Sequence, residues 1–340
     1  MQKNALNKLT LISLLASATA TSTWACNGSH VLGVGGGHSA TAYTISANTM
    51  EKGSLFLGIN AETVRNKNLS DSAMLAELNS GGDHLHAIDF INSYSLSASY
   101  GITDDLTLNV QLPYVTRKGI RAGEDVGGGV YEVHPHDDIK ELGDASALLQ
   151  YKVYDDKFKV ALIAGIKAPT GKDDVTFEGE VLEADLQSGS GSLDLFAGVA
   201  FTKDFEDFSL HSDLLYKYNN KGVGESELGD IFTYNVALSY NLVDHKPHVS
   251  LTESEKENHR GYSVDTFIEL NGERARQDRF NGSIANNTGH NIIFATTGLQ
   301  VSTENNYSLS FSVSVPVYQD MIGVQNNVSY KSTIGIGKSF

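Results

Sequence analysis

Two close pairs of histidines are the residues whose type and spacing most readily suggest chemistry. Asp83-His84-Leu-His86 and His134-Pro-His136-Asp137-Asp138 each set two imidazoles beside carboxylates. Those groups are competent ligands for Zn²⁺ or Cu²⁺, so His84, His86, His134, His136 and Asp137 form a candidate metal set. The bland alternative is that exposed acidic loops simply contain His and Asp. A third group, Cys26 with His30 and His38, brackets Gly33-Val-Gly-Gly-Gly37. That stretch reads first as a flexible leader, and it lacks the strand–loop–helix setting of a phosphate loop. Ala168-Pro-Thr-Gly-Lys172 lacks that setting too. His211 and Ser212 are adjacent, so on a strand they face opposite sides and make no nucleophile–base pair. The expectation is a protein that is not an enzyme and needs no cofactor, with a divalent metal at the histidine loops as the exception to test.

Charge narrows the partners. Among 340 residues, Lys+Arg is 25 and Asp+Glu is 41, a net charge of -16. No basic excess exists to neutralise phosphates, so nucleic acid is not an expected partner. A single cysteine excludes a disulfide framework within the chain. Lys3 and Lys8, the apolar run from Leu9 to Ala16, and Ala18-Thr19-Ala20 or Thr23-Trp24-Ala25 read as a secretory signal over residues 1–25. Cys26 would then lie near the new N-terminus as a candidate for lipidation, although Thr23 stands where that signal favours leucine.

The elements that would position any site are strands. Tyr307-Ser-Leu-Ser-Phe-Ser-Val-Ser-Val315 alternates without a break, and Leu106–Leu112, Phe232–Tyr240 and Val328–Phe340 follow the same period. Alternation at two residues per repeat gives one apolar and one polar face. About twelve such runs occur, each long enough to cross a bilayer when tilted. Tight connections at 103–104, 155–156, 204–207 and 304–306 alternate with longer ones at 66–87, 118–143, 169–190, 219–229 and 276–289. Short periplasmic turns and long external loops are the outer-membrane pattern. Two connections break it: residues 243–261 are long where a tight turn is due, and residues 319–326 are short where a long loop is due. Tyr100, Phe158, Phe201, Phe208, Tyr240, Tyr307 and Phe340 near the short turns share the apolar face, and Tyr114, Tyr216, Tyr218, Phe232 and Tyr330 share it at the opposite ends. These are the two interfacial aromatic girdles of a membrane barrel.

The fold class expected is therefore all-β: a transmembrane antiparallel up-and-down barrel of about 12 strands in the outer membrane of a Gram-negative bacterium. Residues 1–25 are the signal, 26–52 a periplasmic Gly-rich leader and 53–340 the barrel. Lumen-lining candidates are Lys152, Lys167, Asp194, His211, Asp213, Lys217 and Glu269, with mixed signs that imply an internal charge network.

Four segments carry a resemblance. Leu112-Pro113-Tyr114, Gly143-Asp144 running on to Tyr151-Lys152, Gly165-Ile-Lys167-Ala-Pro169-Thr-Gly171 and Gly189-Ser-Gly191-Ser-Leu-Asp194 together resemble the outer-membrane transporter family assigned to the meta-pathway of phenol degradation. The resemblance is best over 100–220. It implies a twelve-stranded barrel that moves small, often hydrophobic molecules, and it brings no ligand residues with it. The residues themselves read structurally: Pro169 cannot donate to a ladder and ends its strand, while Lys167 and Asp194 would meet as an ion pair at the rim. Two functions follow as expectations. One is a channel for passive passage of a small, hydrophobic or aromatic solute, with membrane lipid and that solute as its partners. The other is a metal- or partner-binding barrel that uses its histidine loops.

Overall fold

The computed structural model describes residues 40–82, 85–177, 180–181, 184, 186–245 and 261–340. The signal peptide, Cys26, His30, His38, the glycine run and His84 lie outside the described residues. Twelve long strands make the wall: β1 (Leu55–Asn66), β2 (Phe90–Thr103), β3 (Leu106–Lys118), β4 (Ala145–Asp155), β5 (Lys159–Ala168), β6 (Asp194–Asp204), β7 (Phe208–Tyr218), β8 (Ile231–His245), β9 (Tyr262–Ala275), β10 (His290–Thr303), β11 (Tyr307–Met321) and β12 (Val328–Ser339). Each pairs antiparallel with its chain neighbour, and β1 pairs with β12 from Phe56↔Ser339 to Asn66↔Val328. The sheet thus closes, which lipid demands, because an open edge there would strand unpaired N–H and C=O groups.

Burial along each strand is inverted relative to a soluble sandwich. On β2, Ser93, Ser95, Ser97 and Ser99 are buried while Tyr94, Leu96 and Tyr100 are exposed. On β9, Ile268 is 60% exposed and the neighbouring Glu269 only 4%. Polar side chains turn to the interior and apolar ones to the surroundings, the arrangement that hydrocarbon selects. The aromatic positions on the outer face pack locally near the periplasmic turns, with Phe158 ring centroids 4.7 Å from Tyr154 and 5.3 Å from Phe201.

The connections follow the expected rhythm. Two are irregular: β8 ends at His245 and β9 starts at Tyr262, so a periplasmic turn is extended, with 246–260 outside the described residues, and only 322–327 separate β11 from β12 on the external side. The first external loop contains a helix that periodicity does not announce, α1 (Asp71–Asn79). Ser70 caps it by accepting from Ala73 N–H at 3.2 Å, and Met74 and Leu78, four apart on one face, are buried. They pack on the hairpin Ile120–Gly127/Val130–His136 of the second loop. Residues Ile139–Leu142 then pair with the outer half of β3.

Of the segment 26–52 that the sequence reads as a periplasmic Gly-rich leader, Glu51 and Lys52 are exposed at the mouth of the barrel, and residues 40–50 lie within it. They hydrogen-bond to β1, β3, β4, β5, β6, β7 and β9, walls that a single segment can reach together only from the enclosed space. The physical reason is that their backbone N–H groups join no ladder and must find acceptors, which the inward carboxylates and hydroxyls supply.

Candidate functional site

The candidate site is the lumen, and it is built in two storeys. The lower storey, toward the short turns, holds residues 40–50. From the turn between β2 and β3, where Asp104 accepts from Lys52 N–H at 2.9 Å, the segment rises past Thr107, whose Oγ1 accepts from Met50 N–H at 2.8 Å. Gln150 Nε2 donates to the carbonyls of Ser46 and Asn48 at 2.7 and 3.0 Å. Thr202 Oγ1 accepts from Ala47 N–H, and Asp213 Oδ1 from Ile45 N–H at 2.7 Å. At mid-height Glu269 gathers the N–H groups of Ala42, Tyr43 and Thr44 together with Thr44 Oγ1 at 2.9 Å. Tyr43 crosses to the opposite wall and donates to Glu62 Oε2 at 2.6 Å. Charge-assisted bonds of this kind are stronger than neutral ones. Ile45 and Ala47 meanwhile pack on Leu148, Ala161, Ile163, Ala200 and Leu215, which turn inward from β4 to β7.

Below the segment, on the β7 to β10 side, a cavity of about 380 Å³ faces the periplasmic turns. His211, Ser239, Asp265 and Gln300 line it. His211 is buried, with Nδ1 3.0 Å from Thr202 Oγ1 and Nε2 3.3 Å from Ser239 Oγ. Lys152 sits at the periplasmic rim on β4, paired with Asp155 at 2.7 Å and Asp105 at 3.3 Å.

The upper storey has two contrasting walls. Across β5, β6 and β7, the register sets Lys167 directly opposite Asp194, with Lys217 one strand further on. Lys167 Nζ lies 2.5 Å from Asp194 Oδ2 and 3.2 Å from Asp144 Oδ2, and Lys217 Nζ lies 3.5 Å from Asp194 Oδ2. All four side chains are buried. Further donors reach both carboxylates: Asp144 accepts from Gly171 N–H, Ser190 N–H and Ser190 Oγ, and Asp194 from Ser192 Oγ and Asn220 N–H. Burial pushes the Asp144 carboxyl up, but the Lys167 charge and those donors outweigh it, so its pKa lies below the ordinary aspartate value.

The four segments that carry the family resemblance converge on this knot. Gly143 N–H bonds to Pro113 O at 2.9 Å, and Gly189 N–H to Lys172 O at 2.7 Å. The backbones of Gly171 and Gly189 pass so closely that a Cβ on Gly189 would come 2.5 Å from Gly171 C. Those glycines are there because two chains touch, and the touch delivers Ser190 and Asp144 to Lys167.

The other upper wall is apolar. Val64, Ile91, Val115, Ile292, Phe294 and Val328 turn inward from β1, β2, β3, β10 and β12, and the loop residues Ile88, Ile120, Ile139 and Leu186 cover them. Lys331 places its ammonium 4.2 Å from the Phe294 ring centroid, between that wall and the lower storey.

The seven lumen candidates therefore all face inward, divided between storeys: Asp213, His211, Glu269 and Lys152 below, Lys167, Asp194 and Lys217 above. Sequence reasoning did not single out Asp144, Thr202, Gln150 or the inserted segment as site residues.

The histidine loops are arranged differently. His86 and His134 both lie opposite Ala122 in the three-stranded loop sheet, so they share a face two strands apart. His136 Nε2 is 3.0 Å from Glu124 and His134 Nε2 is 3.4 Å from Glu132, whereas Asp137 belongs to none of these pairs. Among the described residues no three His, Cys, Asp or Glu side chains converge as a metal-holding group.

Comparison with known proteins supports this architecture. A family model described as "Putative MetA-pathway of phenol degradation" matches residues 101–315, more than half of the chain. Among curated proteins none matches by sequence. Among solved structures, the COG4313 outer membrane channel from Pseudomonas putida F1 has a TM-score of 0.56 at 12% identity, covering 86% of this chain and 98% of that one. The β domain of the Bordetella autotransporter BrkA scores 0.45 at 12% identity, with coverage of 85% and 100%. The P. putida toluene transporter TodX scores 0.40 at 13%, with coverage of 86% and 91%. Of these three, the first bears on the fold, and it supports the same closed outer-membrane barrel.

Proposed function

The chain belongs to the family described as a putative MetA-pathway of phenol degradation, and on that premise we propose that it is an outer-membrane channel for passive passage of a small hydrophobic or aromatic solute. The observation that carries the reading is the split upper lumen. One arc carries Ile91, Val115, Ile292 and Phe294, packed beneath the loop residues Ile88, Ile120, Ile139 and Leu186, and the facing arc carries Lys167, Asp194 and Lys217. A conduit with one greasy and one hydrogen-bonding side suits a solute that has both, such as an aromatic ring bearing a hydroxyl. Passage on this reading is passive, and the flux runs downhill. The inserted residues 40–50 set the width of the lower storey, because their backbone fills it and is held by hydrogen bonds rather than by a ladder.

Planar-bilayer recordings test this. The full barrel should give discrete conductance steps, and deletion of residues 40–50 should enlarge them several-fold. Phenol added to the bath should interrupt the current in a concentration-dependent way, whereas glycerol should not. A barrel that stays silent in both forms, or one that phenol and glycerol affect alike, would overturn the proposal.

A further inference from the structure

The outward face of the barrel carries a charge pattern opposite to the chain as a whole. Of the outward positions on the twelve strands, charge occurs only near the ends: Arg65, Lys118, Arg274 and Asp320 externally, Lys203 and Lys338 on the periplasmic side. Five of these six are cations, in a protein where acids outnumber bases by 41 to 25. Cations at the two interfaces and none between are what a wall immersed in anionic lipid would hold.

At one place this pattern becomes a cavity. The register aligns Arg274 with Asn291 and Asn291 with Asp320, all facing outward at the external ends of β9, β10 and β11. These three residues contribute to a cavity of about 590 Å³, walled above by Arg276 and Arg279 of the following loop and by Glu227 and Asp230 of the preceding one. Asp230 is already committed: it accepts from Tyr216 Oη at 2.6 Å and from Asn219 N–H at 3.0 Å, and it pairs with Arg276 at 3.0 Å. Arg274 and Arg279 are exposed, and neither guanidinium has an ion-pair or hydrogen-bond partner among the described residues. Beneath the cavity the outer face is apolar. Tyr234 lies over Gly272, where a Cβ would come within 2.0 Å of the ring, and it donates to Asn291 Oδ1 at 3.1 Å. Leu270 and Ile268 continue the slope toward the membrane centre, exposed by 50% and 60%.

We propose that this cavity binds the headgroup of a phosphorylated glycolipid of the external leaflet. Arg274 and Arg279 take a phosphate, Asn291 and the carboxylates of Glu227 and Asp320 take sugar hydroxyls, and the acyl chains lie over Leu270 and Ile268. A guanidinium pair matches the geometry of phosphate oxygens, and free carboxylates are acceptors that a sugar's hydroxyls can satisfy. The amphipathic order (cations at the rim, hydrocarbon directly below) selects a lipid over a free anion.

The test uses the refolded full chain in a non-ionic detergent and reads the unfolding midpoint and apparent affinity with three probes: a bis-phosphorylated glucosamine disaccharide lipid, the same lipid without phosphates, and inorganic phosphate. Only the first should raise the midpoint, since a ligand bound to the folded state alone stabilises it. The double substitution Arg274→Gln/Arg279→Gln should leave the ligand-free midpoint unchanged and weaken the phosphorylated lipid about tenfold or more. Arg65→Gln/Lys118→Gln, on a different sector of the rim, should leave its affinity within about twofold. Equal stabilisation by the dephosphorylated lipid, full stabilisation by inorganic phosphate, undiminished affinity in the Arg274/Arg279 variant or an equal loss in the Arg65/Lys118 variant would each overturn the assignment.

Discussion

In the lower half of the lumen, wall side chains accept hydrogen bonds from the backbone of residues 42–50. In the upper half, wall side chains bind one another. Glu269 and Asp213 are satisfied by peptide N–H groups of a segment that carries no opposite charge, whereas Asp194 and Asp144 are satisfied by Lys167, Lys217 and the loop donors around them. Both solve the same problem, a carboxylate facing inward in a closed barrel. The difference lies in what can leave. A peptide segment can withdraw and be replaced by water at a modest net cost per hydrogen bond, because water offers the same bonds. A buried ammonium between two carboxylates has no such substitute. The lower storey is therefore built to change its contents, and the upper storey to hold a fixed lining.

Four experiments would sharpen or break that contrast, in falling order of expected effect. Lys167→Met leaves Asp144 and Asp194 facing inward with Lys217 alone, and removal of one partner from a buried ion pair costs about 3–5 kcal/mol. Its unfolding midpoint in detergent should drop sharply, and adding Asp194→Asn should recover part of the loss. Glu269→Ala removes the acceptor of three N–H groups and one hydroxyl. The expected effect, about 2–3 kcal/mol, falls on docking of the segment, so protease should cut within residues 40–50 much faster while the global midpoint moves little. An equal fall in that midpoint would mean the two storeys are one cooperative unit.

The third experiment is acid titration. The folded Asp144 carboxyl titrates below its unfolded value, so its stabilisation is complete above that value, near about 3.9, and is lost as pH falls through the folded one. Cleavage in the 169–177 loop should rise below about pH 4 in the parent protein, and Asp144→Asn should be cleaved faster at neutral pH with a weaker acid response. Fourth and smallest, Arg276→Gln breaks an ion pair whose arginine is 73% exposed. It should move the unfolding midpoint by no more than an amount equivalent to about 0.5 kcal/mol.

Much of the barrel wall is legible in the sequence. Strand alternation set the wall, its span and its two faces, because lipid enforces a period of two with little tolerance. The same alternation puts the seven lumen candidates on the polar face of their strands. The upper knot was half legible: Lys167 and Asp194 were readable as a rim pair, but Asp144 joins only because the loops at 143, 171 and 189 touch, and alternation does not report contact between loops. The inserted segment was not legible at all. Within Thr41-Ala-Tyr-Thr-Ile-Ser-Ala-Asn-Thr-Met50 only Tyr43–Asn48 alternates, too short a run to read as a wall strand, and the bonds that hold the segment come from peptide groups that every residue possesses. One signal was available. On β1, β7 and β9 the inward Glu62, Asp213 and Glu269 stand at mid-height, whereas Lys167 and Lys217 stand nearer the external end. Three inward acids at mid-height against one inward base there, Lys331, call for donors from elsewhere. Helix α1 was missed because nine residues with only Met74 and Leu78 buried give too short an apolar stripe.

The seam between β1 and β12 sets the order in which the molecule can be assembled. Leu55 and Phe340 exchange backbone hydrogen bonds, N–H to carbonyl in both directions at 3.2 and 2.8 Å, so the cylinder stays an open sheet until the last residues of the chain have arrived. Residues 40–50 precede β1 and end up enclosed. Either the curling sheet wraps around them while the seam is still parted, or they thread in afterwards through the periplasmic mouth. In the first case the segment acts as a mandrel that nascent walls wind upon, and a chain made without it should close more slowly even if the finished cylinder is equally stable.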